Sequence, residues 1–177
     1  MLEVWTVGHS TRTAAELVEL LRGHGIDRLV DVRTIPRSRR NPQFNQETLS
    51  ASLAAAGIAY AHMPGLGGLR RPRPDSLNTA WRNASVRGYA DHMQTPDFAR
   101  NLEALMELAG QGRTAVMCAE AVPWRCHRSL LADALVARRA VVRHIVAPAR
   151  AEPHALTPWA HVEGIRVTYP ARAQRRQ

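Results

Sequence analysis

The chain has 177 residues, 45% of them hydrophobic, and no apolar run approaches membrane-spanning length. That length suits one folded unit with one substantial core, and the hydrophobic content argues against disorder. The formal net charge is +9 and all 24 basic residues are arginine, so the surface attracts anions, although most of this arginine reads as composition bias.

In chain order, Leu2 to Val7 reads as a first strand ended by Gly8-His9-Ser10. A helix follows: Thr13 and Glu16 fit a capping box, Ala14, Leu17, Val18 and Leu21 recur at helical spacing, and Gly23 and Gly25 end it. Ile26 to Val32 is a second strand with Asp31 and Arg33 at its exit, followed by a polar loop through Pro36, Arg37, Ser38, Arg39 and Arg40 to Asn45. Asn45 is suited to cap a second helix with Leu49 and Leu53 inward and Gly57 as its stop. Ile58 to Ala61 forms a short third strand exiting at His62. Then come Pro64-Gly65-Leu66-Gly67-Gly68 and a Pro/Arg-rich stretch to Pro74, a long aperiodic segment of the functional or mobile kind.

Trp81 to Met93 is helical in part, and Thr95-Pro96 starts a helix that keeps Phe98, Leu102, Leu105 and Ala109 on one face until Gly110. A fourth strand over Thr114 to Met117 drops into Cys118-Ala119-Glu120, and Cys126-His127-Arg128 leads into a helix ending near Arg138. Val141 to Val146 is a fifth strand. Beyond Ala147 the pattern weakens: Thr157-Pro158 is expected to open a short helix and Ile165 to Tyr169 a last strand. Residues 1–147 are expected to be a single α/β domain. Residues 148–177 are expected to pack on it or add a strand, with a frayed basic tail at 172–177.

Strands alternating with helices predict a three-layer, Rossmann-like α/β fold, its mostly parallel sheet covered on both faces. Parallel strands end on one edge. Gly8-His9-Ser10, Asp31-Val32-Arg33, His62 and Cys118-Ala119-Glu120 are therefore expected to converge there, where open α/β sheets bind ligands.

The two cysteines are too few for a disulfide framework and both fall in the stretch Cys118 to Arg128, which suggests chemistry or metal binding. The N-terminus has no signal-peptide pattern, so a cytoplasmic location is expected.

These pieces resemble a known family, that of domain of unknown function number 488. The resemblance rests on Thr6-Val7-Gly8-His9-Ser10, Asp31-Val32-Arg33 with Pro36 and Ser38-Arg39, Leu66-Gly67-Gly68, Tyr89-Ala90-Asp91-His92-Met93 with Thr95, and Cys118-Ala119-Glu120 with Pro123 and Cys126-His127-Arg128. It spans roughly residues 4 to 146 and returns weakly at Thr168-Tyr169-Pro170. It implies a Rossmann-like α/β fold and no settled activity, so function must be argued from the groups themselves.

Cys118 at a strand end reads either as a small buried hydrophobe or as a thiolate nucleophile poised by nearby His and Arg. Cys118 to Arg125 is C-x6-R, one residue longer than the phosphate loop of cysteine phosphatases and interrupted by a proline, which argues against that class. Cys126, His127 and Arg128 lie at a helix N-terminus, where unpaired amides favour an anion. Arg128 can fork onto a phosphate or simply pair with Glu120. Glu120 and His127 are the candidates to move protons. His9 is a further catalytic candidate, or else it orients the Gly8 turn, and Asp31 reads as a structural partner for a neighbouring Arg or His.

Substrate contacts are expected from Ser10, Arg33, Arg39, Gly67, Gly68, Trp124, Cys126 and Arg128. Trp81, Trp124 and Trp159 can stack bases or simply pack. Cys118, Glu120, Cys126 and His127 are also competent metal ligands, but the spacing lacks a C-x2-C or H-x3-H pair, and neighbours on a helix diverge by about 100°. No cofactor and no oligomeric state can be read.

The leading expectation is an enzyme, a cysteine-dependent transferase or hydrolase, acting on an anionic ligand such as a nucleotide or nucleic acid. The alternatives are a non-catalytic nucleic-acid-binding protein, a metal-binding domain, and a turn whose polar residues merely brace it.

Overall fold

Each of the five apolar runs becomes a strand in the computed structural model, which describes residues 1–123 and 126–171. Trp124 and the tail at 172–177 lie outside the described residues. The strands are β1 (Glu3–Gly8), β2 (Arg28–Asp31), β3 (Ala59–His62), β4 (Thr114–Cys118) and β5 (Val141–Ala147). They pair in parallel in the order β3-β2-β4-β1-β5, with Gly8 opposite Cys118 and Asp31 opposite both Met117 and His62. A sixth strand, β6 (Arg150–Pro153), adds antiparallel to the free edge of β5.

Alternation along each strand divides the core between the two faces. Trp5, Val7, Leu29, Ala115 and Met117 meet Leu17, Leu20 and Leu21 of α1 (Ala14–Gly23) and Leu49 and Leu53 of α2 (Gln46–Ala55). Val4, Val30, Val116 and Cys118 face the other way, onto α3 (Ala84–His92), α4 (Pro96–Gln111) and α5 (Arg128–Ala137). The protein is therefore an α/β three-layer structure of the Rossmann-like kind. Cys118 ends its strand on the α5 face.

The helix starts follow local chemistry. Thr13 and Glu16 form the expected capping box, and Thr95 accepts from the Phe98 amide ahead of Pro96. Asn45 takes the N-cap position of α2, but its side chain makes no cap bond. Its Oδ1 instead accepts from the Ser38 amide at 2.8 Å, tying the Arg-rich loop to α2. Thr157-Pro158 forms a turn rather than a helix. The expected last strand shortens to β8 (Arg166–Thr168), which pairs with β7 (His161–Glu163) in a separate hairpin. Neither β6 nor β7 carries an apolar period, since both are mostly exposed.

A buried hydrogen-bonded chain fastens this C-terminal part. Both oxygens of Asp133 on α5 accept hydrogen bonds: from His154 Nε2 (2.8 Å), the Thr157 amide (3.0 Å) and the Tyr169 hydroxyl (2.7 Å). With Nε2 of His154 donating, its Nδ1 is the acceptor for His144 Nε2 at 2.8 Å, and His144 Nδ1 in turn accepts from the Thr6 hydroxyl. One carboxylate thus sets the tautomers of two histidines and joins β1, β5, α5 and the segment after β6. Asp133→Ala would leave three buried donors without an acceptor. Urea unfolding should show a loss of roughly 1.5–3 kcal/mol or more. An unchanged midpoint would mean the network holds nothing.

Candidate functional site

The connections after β1 and β2 pass to the α1 and α2 face, whereas the one after β4 passes to the α5 face. Because β4 lies between β1 and β2, its loop diverges from both neighbours, and such a switch point opens a crevice at the strand ends. Cys118 closes β4 there. The ladder extends one step past the strands: the His9 amide donates to Cys118 O (3.0 Å) and the Ser10 amide to Ala119 O (2.9 Å). Gly8 permits this approach, since a Cβ on it would sit 1.8 Å from Glu120 O.

The crevice is a cavity of about 660 Å³, within the ordinary size for a small-molecule site. It is lined from four loops by His9, Ser10, Arg33, Gly68, Cys118 and Glu120, together with Cys126 and His127. Eight residues named from sequence thus share one space. Arg39 does not join them: it is exposed, and Arg37 and Arg40 on either side of it line the cavity instead. An aperiodic loop gives no rule for which of three arginines turns inward. Gly67 is also outside; a Cβ there would strike Thr34 Oγ1 at 2.3 Å, so protein packing alone accounts for that glycine. Gly68 packs on the His127 ring, its virtual Cβ 3.1 Å from Nδ1.

Sequence reading missed the apolar part of the wall, Ile35, Leu69 and Val86, and the start of α3, where Asn83 caps the Val86 amide. Ile35 and Leu69 are exposed hydrophobes on a basic rim. Among the described lining residues Glu120 is the sole acid, against Arg33, Arg37 and Arg40.

Arg33 is largely committed to the protein. Its Nε and Nη2 grip Asp31 at 2.9 and 2.7 Å, and Nη2 also donates to Phe44 O. Tyr60 completes the cluster by donating to Asp31 Oδ2 at 2.6 Å, and His62 Nε2 donates to Arg33 O at 2.6 Å. The remaining Nη1 reaches His9 Nε2 at 3.4 Å, while His9 Nδ1 lies 2.8 Å from Ser10 O. Both ring nitrogens of His9 are therefore engaged, and burial holds its pKa below the ordinary value. As placed, His9 braces the Gly8–Ser10 turn and the Arg33 guanidinium.

The sulfur atoms form the centre. Cys126 Sγ donates to Cys118 Sγ across 3.0 Å, both cysteines being free, and Cys118 Sγ, when it holds its proton, donates to Glu120 O at 3.4 Å. Cys118 is brought down to about 7, first by the hydrogen bond from Cys126 and then by the charge of Arg128, which together outweigh its burial. The same hydrogen bond and burial push Cys126 up, because it donates only as a thiol.

Arg128 does not pair with Glu120. It is 1% exposed, donates from Nη2 to Ala121 O at 3.0 Å, and leaves Nε and Nη1 without a partner among the described residues. It lies behind the cavity wall rather than on it, so its contribution is its field and not a direct fork. A buried cation without a counter-charge is expensive by several kcal/mol, and its field is one of the causes that lower the Cys118 thiol.

His127 takes the N-cap position of α5 with no side-chain cap bond. Its Nδ1 is 3.4 Å from Cys126 Sγ, and its Nε2 is buried and unpartnered. Burial, with Arg128 and Arg70 adding, lowers it to about 4, so it stands in the cavity as a neutral imidazole. Glu120 is exposed at the mouth. Among the described residues no three His, Cys, Asp or Glu side chains converge as a ligand set.

A family model described as Domain of unknown function DUF488 matches residues 13–135. The chain belongs to that family. The match covers Arg33, Gly68 and the Cys118–Arg128 stretch of the DUF488 domain but leaves the Thr6–Ser10 and Thr168–Pro170 pieces outside. Comparison with curated proteins and with solved structures found no match. No helix among the described residues is long and apolar enough to cross a membrane.

The two deeply lowered histidines set a pH dependence of stability. His127 and His144 stay neutral in the fold down to about 4 and about 3, below the ordinary 6.5. On acidification the unfolded chain takes up protons first, so stability present at neutral pH is lost as pH falls from 6.5 toward those values. Urea midpoints should decline steadily between about pH 7 and about pH 5. A flat profile would contradict neutral burial.

Proposed function

We propose that this DUF488 protein is a cysteine-dependent enzyme for an anionic, phosphate-bearing substrate of about nucleotide size, with Cys118 as its nucleophile. The carrying observation is the thiol hydrogen bond from Cys126 to Cys118 together with the field of the buried Arg128, two of whose nitrogens have no partner among the described residues. A hydrogen-bond donor and a cation acting on one sulfur are what a resting thiolate needs, and thiolate is the reactive form.

The surroundings fit such a substrate. Arg37 and Arg40 supply charge at the rim, and the first turns of α3 and α5 add the positive ends of two helices. Ile35, Leu69 and Val86 offer an apolar surface for the uncharged part of the ligand. Ser10 and His127 are placed to donate or accept hydrogen bonds inside the cavity, and Glu120 at the mouth to carry a proton to or from solvent. In the reaction, Cys118 forms a bond to the electrophilic atom, the leaving group departs with the substrate's electron pair, and a second acceptor, water or another nucleophile, releases the transferred group. A non-catalytic nucleic-acid protein would use the arginines but gives the paired thiols no task.

Alkylation tests this without knowing the reaction. Anionic iodoacetate should modify Cys118 faster, relative to neutral iodoacetamide, than it modifies free cysteine. Inorganic phosphate or adenosine monophosphate should protect the site. Replacing both Arg37 and Arg40 by Ala should reduce the iodoacetate preference roughly 3- to 10-fold while leaving iodoacetamide little changed. Equal rates for both reagents, with no protection by phosphate, would reject an anion-handling thiolate.

A further inference from the structure

The pairing of the sulfurs carries a second activity. We propose that Cys118 and Cys126 are a redox-active dithiol that reduces an anionic low-molecular-weight disulfide, with Cys118 attacking and Cys126 resolving. This rests on Cys118 being a nucleophile but not on a phosphate-bearing substrate.

The sulfurs are 3.0 Å apart, and a disulfide bond measures about 2 Å, so closure needs roughly 1 Å of movement. Cys126 lies outside the strand ladder, its amide held by a bond to Pro123 O at 3.2 Å. The thiols are also unequal. Cys118 is buried at the end of a central strand and faces the cation, whereas Cys126 is only partly buried and lies ahead of a helix. Cys118 meets a substrate through the cavity it lines, and Cys126, which donates to it as a thiol, is the neighbour positioned to resolve the adduct.

The steps balance as follows. The Cys118 thiolate attacks one sulfur of RS–SR, forming a Cys118–S–S–R mixed disulfide and expelling RS⁻. Cys126 gives up its proton to the departing thiolate or to solvent and attacks Cys118 Sγ. The mixed disulfide breaks, the second RS⁻ leaves, and the protein ends with a Cys118–Cys126 disulfide. Two electrons pass from the dithiol to the substrate, which becomes two thiols. A carboxylate-bearing peptide disulfide suits the basic rim of Arg37 and Arg40.

Arg128 biases the couple. A Cys118 thiolate lies in the field of the buried guanidinium, and oxidation removes that anion. The reduced form is thereby stabilised, which makes the dithiol a mild reductant and its disulfide readily reduced again, so net reduction of RS–SR requires a disulfide-rich pool. Arg128 acts here through the sulfur and does not touch the substrate.

Oxidised glutathione is the probe, with mass spectrometry as the readout. Wild-type protein should pass through a short-lived glutathione adduct to an intramolecular disulfide. Cys126→Ser should stop at a persistent adduct on Cys118, and Cys118→Ser should leave Cys126 unmodified. In glutathione redox buffers, Arg128→Met that keeps its circular dichroism spectrum should shift the equilibrium toward the oxidised protein about tenfold, equivalent to about 30 mV. If Arg128→Met does not fold, the adduct trapped in Cys126→Ser decides alone. Wild type and Cys126→Ser holding the same stable adduct would overturn the resolving role. No reaction with oxidised glutathione, while iodoacetate still shows its preference, would sink the dithiol activity and leave the nucleophile standing. Failure of both would remove the thiolate itself.

Discussion

A guanidinium buried without a carboxylate paired to it among the described residues is the constraint on which this structure turns. Arg128 is held at the first turn of α5 by one hydrogen bond to Ala121 O, and two of its nitrogens have no acceptor among the described residues. Such an arrangement is tolerable when a negative charge shares the space. The Cys118 thiol lies within its field and, deprotonated, would provide one, and Cys126 donates a hydrogen bond to that sulfur.

The fold delivers these groups to one place through topology. β4 enters the sheet between β1 and β2, and its connection leaves on the opposite face from theirs. Gly8 lets the β1 turn lie directly against the Cys118–Glu120 turn, and the His9 and Ser10 amides continue the ladder. On the other side, Asp31 holds Arg33, which reaches His9, so the β2 exit is rigidly joined to the β1 exit. The Arg/Pro-rich segment is anchored separately: Asp91 on α3 accepts from the Arg73 amide, the Ser76 hydroxyl and Asn78. The walls are thus set by bonded pairs, while Arg37, Arg40, Ile35 and Leu69 remain at the rim to meet a ligand.

Much of this was legible before any coordinates. Apolar runs ending in polar turns located five strands, and because parallel strands share an exit edge, His9, Arg33 and Cys118 could be expected around one cavity, where they are. Short-range rules also worked at Thr13 and Thr95, where cap and helix are neighbours in sequence. They failed at Asn45, whose side chain prefers the Ser38 amide. What was not legible depends on distance along the chain or on aperiodic backbone. Asp133 meets Tyr169 across 36 positions and His154 across 21, and no local pattern announces either contact. The strands β6 and β7 are mostly exposed and lack the alternation that marks a buried strand. Pairing of Arg128 with Glu120 was a reasonable guess from spacing alone. The turn between them instead puts Glu120 at the mouth and Arg128 behind the sulfurs.

Whether Cys118 rests as a thiolate is the central question, and ultraviolet titration of the reduced protein answers it directly. The account requires one thiolate to appear with a midpoint clearly below that of a free cysteine, about 8.5, and the absorbance of the second to stay absent through that range. Two thiolates rising together near the free-cysteine value would contradict it.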